Sequence, residues 1–130
     1  MPEQNTNANS QIHGIRDFVL YNGTHFKYLC QMEYEFDDPK TYLRLFTDPK
    51  FTGGFPSHVV SKFRMRMQQI GAALNEKDFY NSKGLHYEKL KGDRSHQHSM
   101  RLNEQWRLIL ELAERNGKKV VRIVAIEDYH

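Results

Sequence analysis

Residues 106–130 read WRLILELAERNGKKVVRIVAIEDYH, and this stretch decides the fold. Trp106, Leu108, Leu110 and Leu112 share one parity, while Arg107, Ile109 and Glu111 share the other. Successive side chains of a strand point to opposite faces, so the pattern predicts a strand with one buried face. Asn116-Gly117 follows, a pair that tolerates the positive φ angles of a two-residue hairpin turn. Val120 to Ile126 is apolar nearly throughout, as expected of a central strand covered on both faces.

Upstream, Met100 and Leu102 alternate with Ser99, Arg101 and Asn103, and Asn103-Glu104-Gln105 supplies a turn. These strands make a three-stranded antiparallel meander. His86 to Leu90 reads as a further short strand, with Lys91-Gly92-Asp93-Arg94 as a turn. A helix opens near Pro56-Ser57, where Val59, Phe63, Met67, Ile70 and Leu74 recur at spacings of three and four and so share a face. A shorter one opens at Asp38-Pro39, an N-cap followed by Pro at the first helical position, and carries Tyr42, Leu45 and Phe46. Asp48-Pro49 and Gly53-Gly54 end it. Phe26, Tyr28, Cys30, Met32, Tyr34 and Phe36 lie on one parity, and Phe18 to Tyr21 precedes them across Asn22-Gly23, which predicts an N-terminal β-hairpin. Residues 1–15 are expected to form a disordered tail and 16–130 a single domain. The expected class is α+β: N-terminal hairpin or strand, two helices, then the antiparallel meander packed under the helices.

Composition narrows the chemistry. Lys and Arg number 19 against 16 acids, for a formal charge of +3, but the charge is uneven. Lys62, Arg64 and Arg66 stand between Ser57 and Gln69 without an acid, a cationic stretch suited to an anionic partner such as RNA. The single Cys excludes an intramolecular disulfide and fits a reducing compartment. No apolar run spans a bilayer and no signal-peptide layout opens the chain, so a soluble, cytoplasmic protein without a membrane partner is expected. Of the seven His residues only His96 and His98 stand close, without the Asp, Glu or Cys at ligand spacing that a metal site needs. Cys30 lies on the apolar parity of its strand, and neither a Gly-rich phosphate loop nor a Ser-centred elbow is present. Neither metal nor cofactor is expected.

Polar residues where buried strands begin and end remain. Arg107 sits among large apolar side chains, Lys91 in a turn, and Asp128-Tyr129-His130 follows the most apolar strand. Each alone also fits a solvated surface group.

Together they are specific. Leu90-Lys91-Gly92-Asp93-Arg94, Trp106-Arg107 and Glu127-Asp128-Tyr129-His130, in that order and spacing, resemble the C-terminal half of the HigB toxins, a branch of the RelE-like superfamily. The resemblance covers roughly residues 27–130 and takes in the two-helix region more loosely. It implies a RelE-like fold, cleavage of messenger RNA in the ribosomal A site, and a HigA-type helix-turn-helix antitoxin as partner. It also makes Lys91 the active-site lysine, Arg107 the phosphate-binding arginine, and Asp128, Tyr129 and His130 the C-terminal catalytic group. Lys62, Arg66, Arg94 and His98 are expected to meet RNA; His98 stands where many members carry an aromatic residue, and would stack a base or supply a proton.

Those residues suit RNA cleavage without a metal. A base takes the ribose 2′-OH proton, cations stabilise the phosphorane, and an acid protonates the departing 5′-oxygen. Lys91 and Arg107 are suitable cations, arginine's planar fork holding two phosphate oxygens. Asp128 and His130 share the acid and base roles in either order. Two other readings compete: a catalytically inactive module binding RNA or an antitoxin-like protein, and a metal-dependent enzyme using the His residues. The oligomeric state and codon preference are not written in the sequence.

Overall fold

The computed structural model describes residues 31–129. The predicted N-terminal tail and hairpin turn, Cys30 and His130 lie outside the described residues. The strand expected through Phe36 is described as β1, Glu33–Phe36. Helices α1 (Tyr42–Thr47), α2 (Ser57–Ala72) and α3 (Glu76–Asn81) follow, then β2 (Glu88–Lys89), β3 (Gln97–Arg101), β4 (Trp106–Arg115) and β5 (Lys118–Asp128). The strands form one sheet in the order β1-β5-β4-β3-β2. All neighbours are antiparallel except β1 and β5, which run parallel with Glu33 beside Val120 and Phe36 beside Ile123. Parallel partners need a long crossover, here supplied by the helices and the rest of the sheet.

The α+β class and the antiparallel meander are as read from the sequence. The β4–β5 turn is a two-residue loop with Arg115 opposite Lys118. Asn116 and Gly117 both take positive φ, 55° and 80°, the geometry that made this pair a turn signal. Leu108 and Leu110 of β4 are fully buried with Phe63, Met67 and Ile70 of α2, Met100 of β3 and Ile123 of β5, and Trp106 packs at the edge of this core. The helices therefore cover one face of the sheet.

Three details depart from the sequence reading. A third helix, α3, follows α2 after a break at Ala73, whose carbonyl accepts the Met32 amide at 2.9 Å. Leu74 thus falls beyond the helix it was expected to line and is 57% exposed. The strand expected over His86–Leu90 shortens to two residues because Lys83–Leu85 winds into a 3₁₀ turn. In β5 the apolar run is not sandwiched throughout. Arg122 leaves the core in its midst and meets Glu111, Glu35 and Asp37.

Arg64 of α2 serves the fold. Arg64 donates from Nε to the Leu45 carbonyl at 2.9 Å and from Nη2 to those of Asp48 and Phe51 at 3.0 and 3.3 Å. It thereby satisfies carbonyls left over where α1 ends. A register shift in the β4–β5 ladder falls between Ile109 and Leu110, and the nearby Ile126 amide donates to the buried Tyr42 hydroxyl at 3.1 Å. Burial is the main reason that hydroxyl's pKa is raised.

Candidate active site

The end of the β4–β5 hairpin away from its tight turn brings two of the predicted residues, Arg107 and Tyr129, together and ties Asp128 to Gln105 in the turn before β4. Arg107 lies opposite Glu127, and Trp106 opposite Asp128. With Trp106 and Leu108 turned to the core, the pleat sends Arg107 to the other face of the sheet. Its Nη1 donates to the Asn103 carbonyl at 2.6 Å and the Trp106 carbonyl at 3.2 Å. Its Cζ lies 4.9 Å from the centre of the Tyr129 ring, within the range of a cation–π contact. Both hydrogen bonds leave from Nη1, so Nε and Nη2 keep N–H groups without a protein acceptor among the described residues. A guanidinium in this state can take two phosphate oxygens on its remaining edge.

The turn before β4 holds the chain's C-terminal segment beside Arg107. Asn103 Oδ1 accepts the amides of Gln105 and Trp106, both at 2.8 Å, and this side-chain-closed loop fixes the turn. Gln105 then grips β5 twice. Its carbonyl accepts the Tyr129 amide at 2.6 Å, and its Nε2 donates to Asp128 Oδ2 at 3.0 Å. Tyr129 remains 45% exposed, so its ring offers an open surface next to Arg107. His130, the next residue, lies outside the described residues.

Lys91 is exposed at the start of the 3₁₀ turn Gly92–Arg94. Gly92 takes φ +66° with open space around its α-carbon, so its need for glycine is purely conformational. The turn closes through the Arg94 amide on the Lys91 carbonyl at 3.3 Å. Arg94 also reaches β5. Its Nη1 and Nη2 donate to the two oxygens of Glu127 at 3.0 and 2.9 Å, and its Nε to Gln97 at 2.9 Å. The lysine turn is thus fastened to the residue preceding Asp128.

The remaining expected RNA contacts stand differently. His98 lies opposite Leu110 and shares its core-facing side of the sheet, away from Arg107. Its ring stacks on Tyr87 at 4.8 Å and 8°, and its Nε2 is 3.5 Å from Glu76 of α3. Its side chain is only 12% exposed, and its Nδ1 is buried without a partner. Burial holds its pKa below the ordinary 6.5; Glu76 opposes this, while Lys89 and Lys119 add to it. The ring face covered by Tyr87 is not open to a base. Arg66, also expected at RNA, is engaged within the fold. It is buried, and its guanidinium donates to the Arg101 carbonyl at 2.8 Å, Gln69 at 2.9 Å and the Gly84 carbonyl at 3.2 Å. Lys62 stands half-buried on α2, in the helical layer across the sheet from Arg107. Among the described residues no three His, Cys, Asp or Glu side chains converge as metal ligands. His96 and His98 approach different acids, Glu111 and Glu76. No helix among the described residues is long and apolar enough to cross a membrane.

Asn103, Gln105 and Glu127 were not singled out from the sequence. The signal for the first two was their place immediately before Trp106-Arg107; for Glu127 it was its place opposite Arg107 in the meander.

A family model described as the RelE-like toxin of type II toxin–antitoxin system HigB matches residues 34–130. No curated protein matches the chain. Among solved structures the chain is similar to a YoeB/ParE toxin from Agrobacterium tumefaciens, at 15% identity and a TM-score of 0.44, over 76% of this chain and 100% of that one.

Proposed function

Because the chain belongs to the HigB-like toxins of type II toxin–antitoxin systems, whose RelE-like relatives are generally endoribonucleases, we propose that it is a metal-free endoribonuclease cutting messenger RNA on the ribosome. The observation that carries this reading is Arg107, whose open guanidinium edge stands beside the exposed Tyr129 ring and next to the Gln105–Asp128 clamp. Arg107 takes the scissile phosphate bidentately and, with Lys91, stabilises the charge that builds on the phosphorane. Tyr129 stacks on the nucleotide. Asp128 and His130 divide the proton transfers: one removes the 2′-OH proton, the other protonates the leaving 5′-oxygen. The 2′-oxygen forms a bond to phosphorus as the P–O5′ bond breaks, giving a 2′,3′-cyclic phosphate and a 5′-hydroxyl. The ribosome orders the mRNA for this attack. A HigA-type helix-turn-helix antitoxin is the proposed partner, and the cytoplasm the proposed compartment.

The test is a cleavage assay on purified ribosomes carrying mRNA, run with EDTA in a buffer that keeps the ribosomes intact. Cuts with 5′-hydroxyl ends that vanish with Arg107→Ala are the expected result. A wild type that binds the complex and leaves the mRNA whole would instead make this chain a binding module, and cleavage abolished by chelation alone would point to metal chemistry.

A further inference from the structure

Arg107 has a carboxylate directly across the sheet. In an antiparallel pair, opposed Cβ atoms lie roughly 4.5–5.5 Å apart, and opposite charges placed so attract. The row on this face runs Arg101, Arg107, Glu127, so Glu127 is the acid set against Arg107. An ion pair between them would occupy the guanidinium edge that the proposed reaction needs for phosphate. Yet both oxygens of Glu127 go to Arg94, and Arg107 turns instead to the Asn103 carbonyl and the Tyr129 ring.

Arg94 is well placed to win that competition. It approaches Glu127 fork to fork, at 3.0 and 2.9 Å, the geometry that makes an arginine–carboxylate pair strongest. It is aimed from β3 as well, since its Nε is bound to Gln97, whose own Nε2 is held by Glu111 at 3.0 Å. Arg107 is itself held by its Nη1 bonds to two carbonyls and by the Tyr129 ring.

We infer that Arg94 is a positioning residue: by holding Glu127 bidentately, it keeps that carboxylate off Arg107 and leaves the guanidinium open to the scissile phosphate. The sequence had assigned Arg94 to the RNA itself. This role rests on Arg107 being the phosphate-binding group.

The test compares wild type, Arg94→Ala, Glu127→Gln and the double variant for kcat and KM on ribosome-bound mRNA, with thermal melts confirming folding. Removing Arg94 frees Glu127 to capture Arg107, so Arg94→Ala should lose about tenfold in kcat/KM, chiefly through KM. Glu127→Gln, which cannot pair with Arg107 as an anion, should stay within about twofold of wild type. The double variant should regain most of what Arg94→Ala lost. A merely structural bridge predicts the opposite, with Glu127→Gln as damaging as Arg94→Ala and the pair no better than either. Should Arg94→Ala melt too low to assay, Arg94→Gln keeps a polar contact without the charge, and the same recovery by Glu127→Gln is required of it. Wild-type cleavage without recovery in the double variant would overturn the role of Arg94 alone. An inert wild type, or an Arg107→Ala that cuts at the wild-type rate, would bring down the nuclease reading and this inference with it.

Discussion

Two clusters of this molecule carry catalytic-looking side chains, on opposite faces of one sheet. One joins Arg107 and Tyr129 at the open end of β4 and β5. The other joins His98, Glu76, Tyr87 and Lys119 under α3. By residue type alone the second is the more suggestive, with an imidazole, a carboxylate and a phenol in contact. Its groups are nevertheless mostly engaged with one another, and the unpartnered His98 Nδ1 is buried. Glu76 accepts the Tyr87 hydroxyl at 2.9 Å while facing His98 and Lys119 at 3.5 Å, and Tyr87 covers a face of the imidazole. The pKa of Tyr87 is driven far upward, by burial first and then by the bond to Glu76. At the first cluster the guanidinium and the ring keep an open side. The two clusters differ in unspent donors and access more than in the roster of side chains.

The sharpest way to break this contrast is Arg107→Ala. Cleavage should fall roughly 10²–10³-fold, as when one transition-state donor is removed, while stability shifts by no more than about 1 kcal/mol, because the side chain is only half-buried. Full activity in single-turnover cleavage would mean that the open cluster is not the working one. The opposite pattern is expected of Glu76→Ala. Loss of the acceptor for Tyr87 should cost about 1–3 kcal/mol of stability in a denaturant titration, with cleavage per folded molecule unchanged. Selective loss of kcat there would turn the contrast round. The smallest effect concerns pH. His98 is held below 6.5 in the folded state, so folding favours its neutral form. The stability it contributes is present above 6.5 and is lost as pH falls through its lower folded value. A folding free energy measured between pH 7 and pH 5 should decline, and the slope should flatten in His98→Phe.

Much of this was legible in the chain. Period-two alternation from Trp106 and the Asn116-Gly117 pair defined the central hairpin, and parity alone placed Arg107 opposite the face that Leu108 and Leu110 bury. The α2 stripe from Val59 to Ile70 was equally plain. What escaped depended on partners distant in sequence. Parity set His98 on the side of Met100 and Leu102, but could not say that Tyr87 and Glu76 would meet it there. Arg66 looked like a solvated cation because its acceptors are carbonyls of Gly84 and Arg101, which leave no trace in residue type. Arg94 found Glu127 across 33 positions. Helix α3, six residues long, is too short to show a period.

The parallel pairing of β1 with β5 has a kinetic consequence. Among the described residues Glu33–Phe36 pairs with Val120–Ile123, a contact of great sequence separation, the kind that slows folding. A nascent chain lacking its final strand cannot close the sheet, and it lacks Asp128 as well. For the activity proposed above, a chain still being synthesised would lack residues of its site until the last hairpin is made.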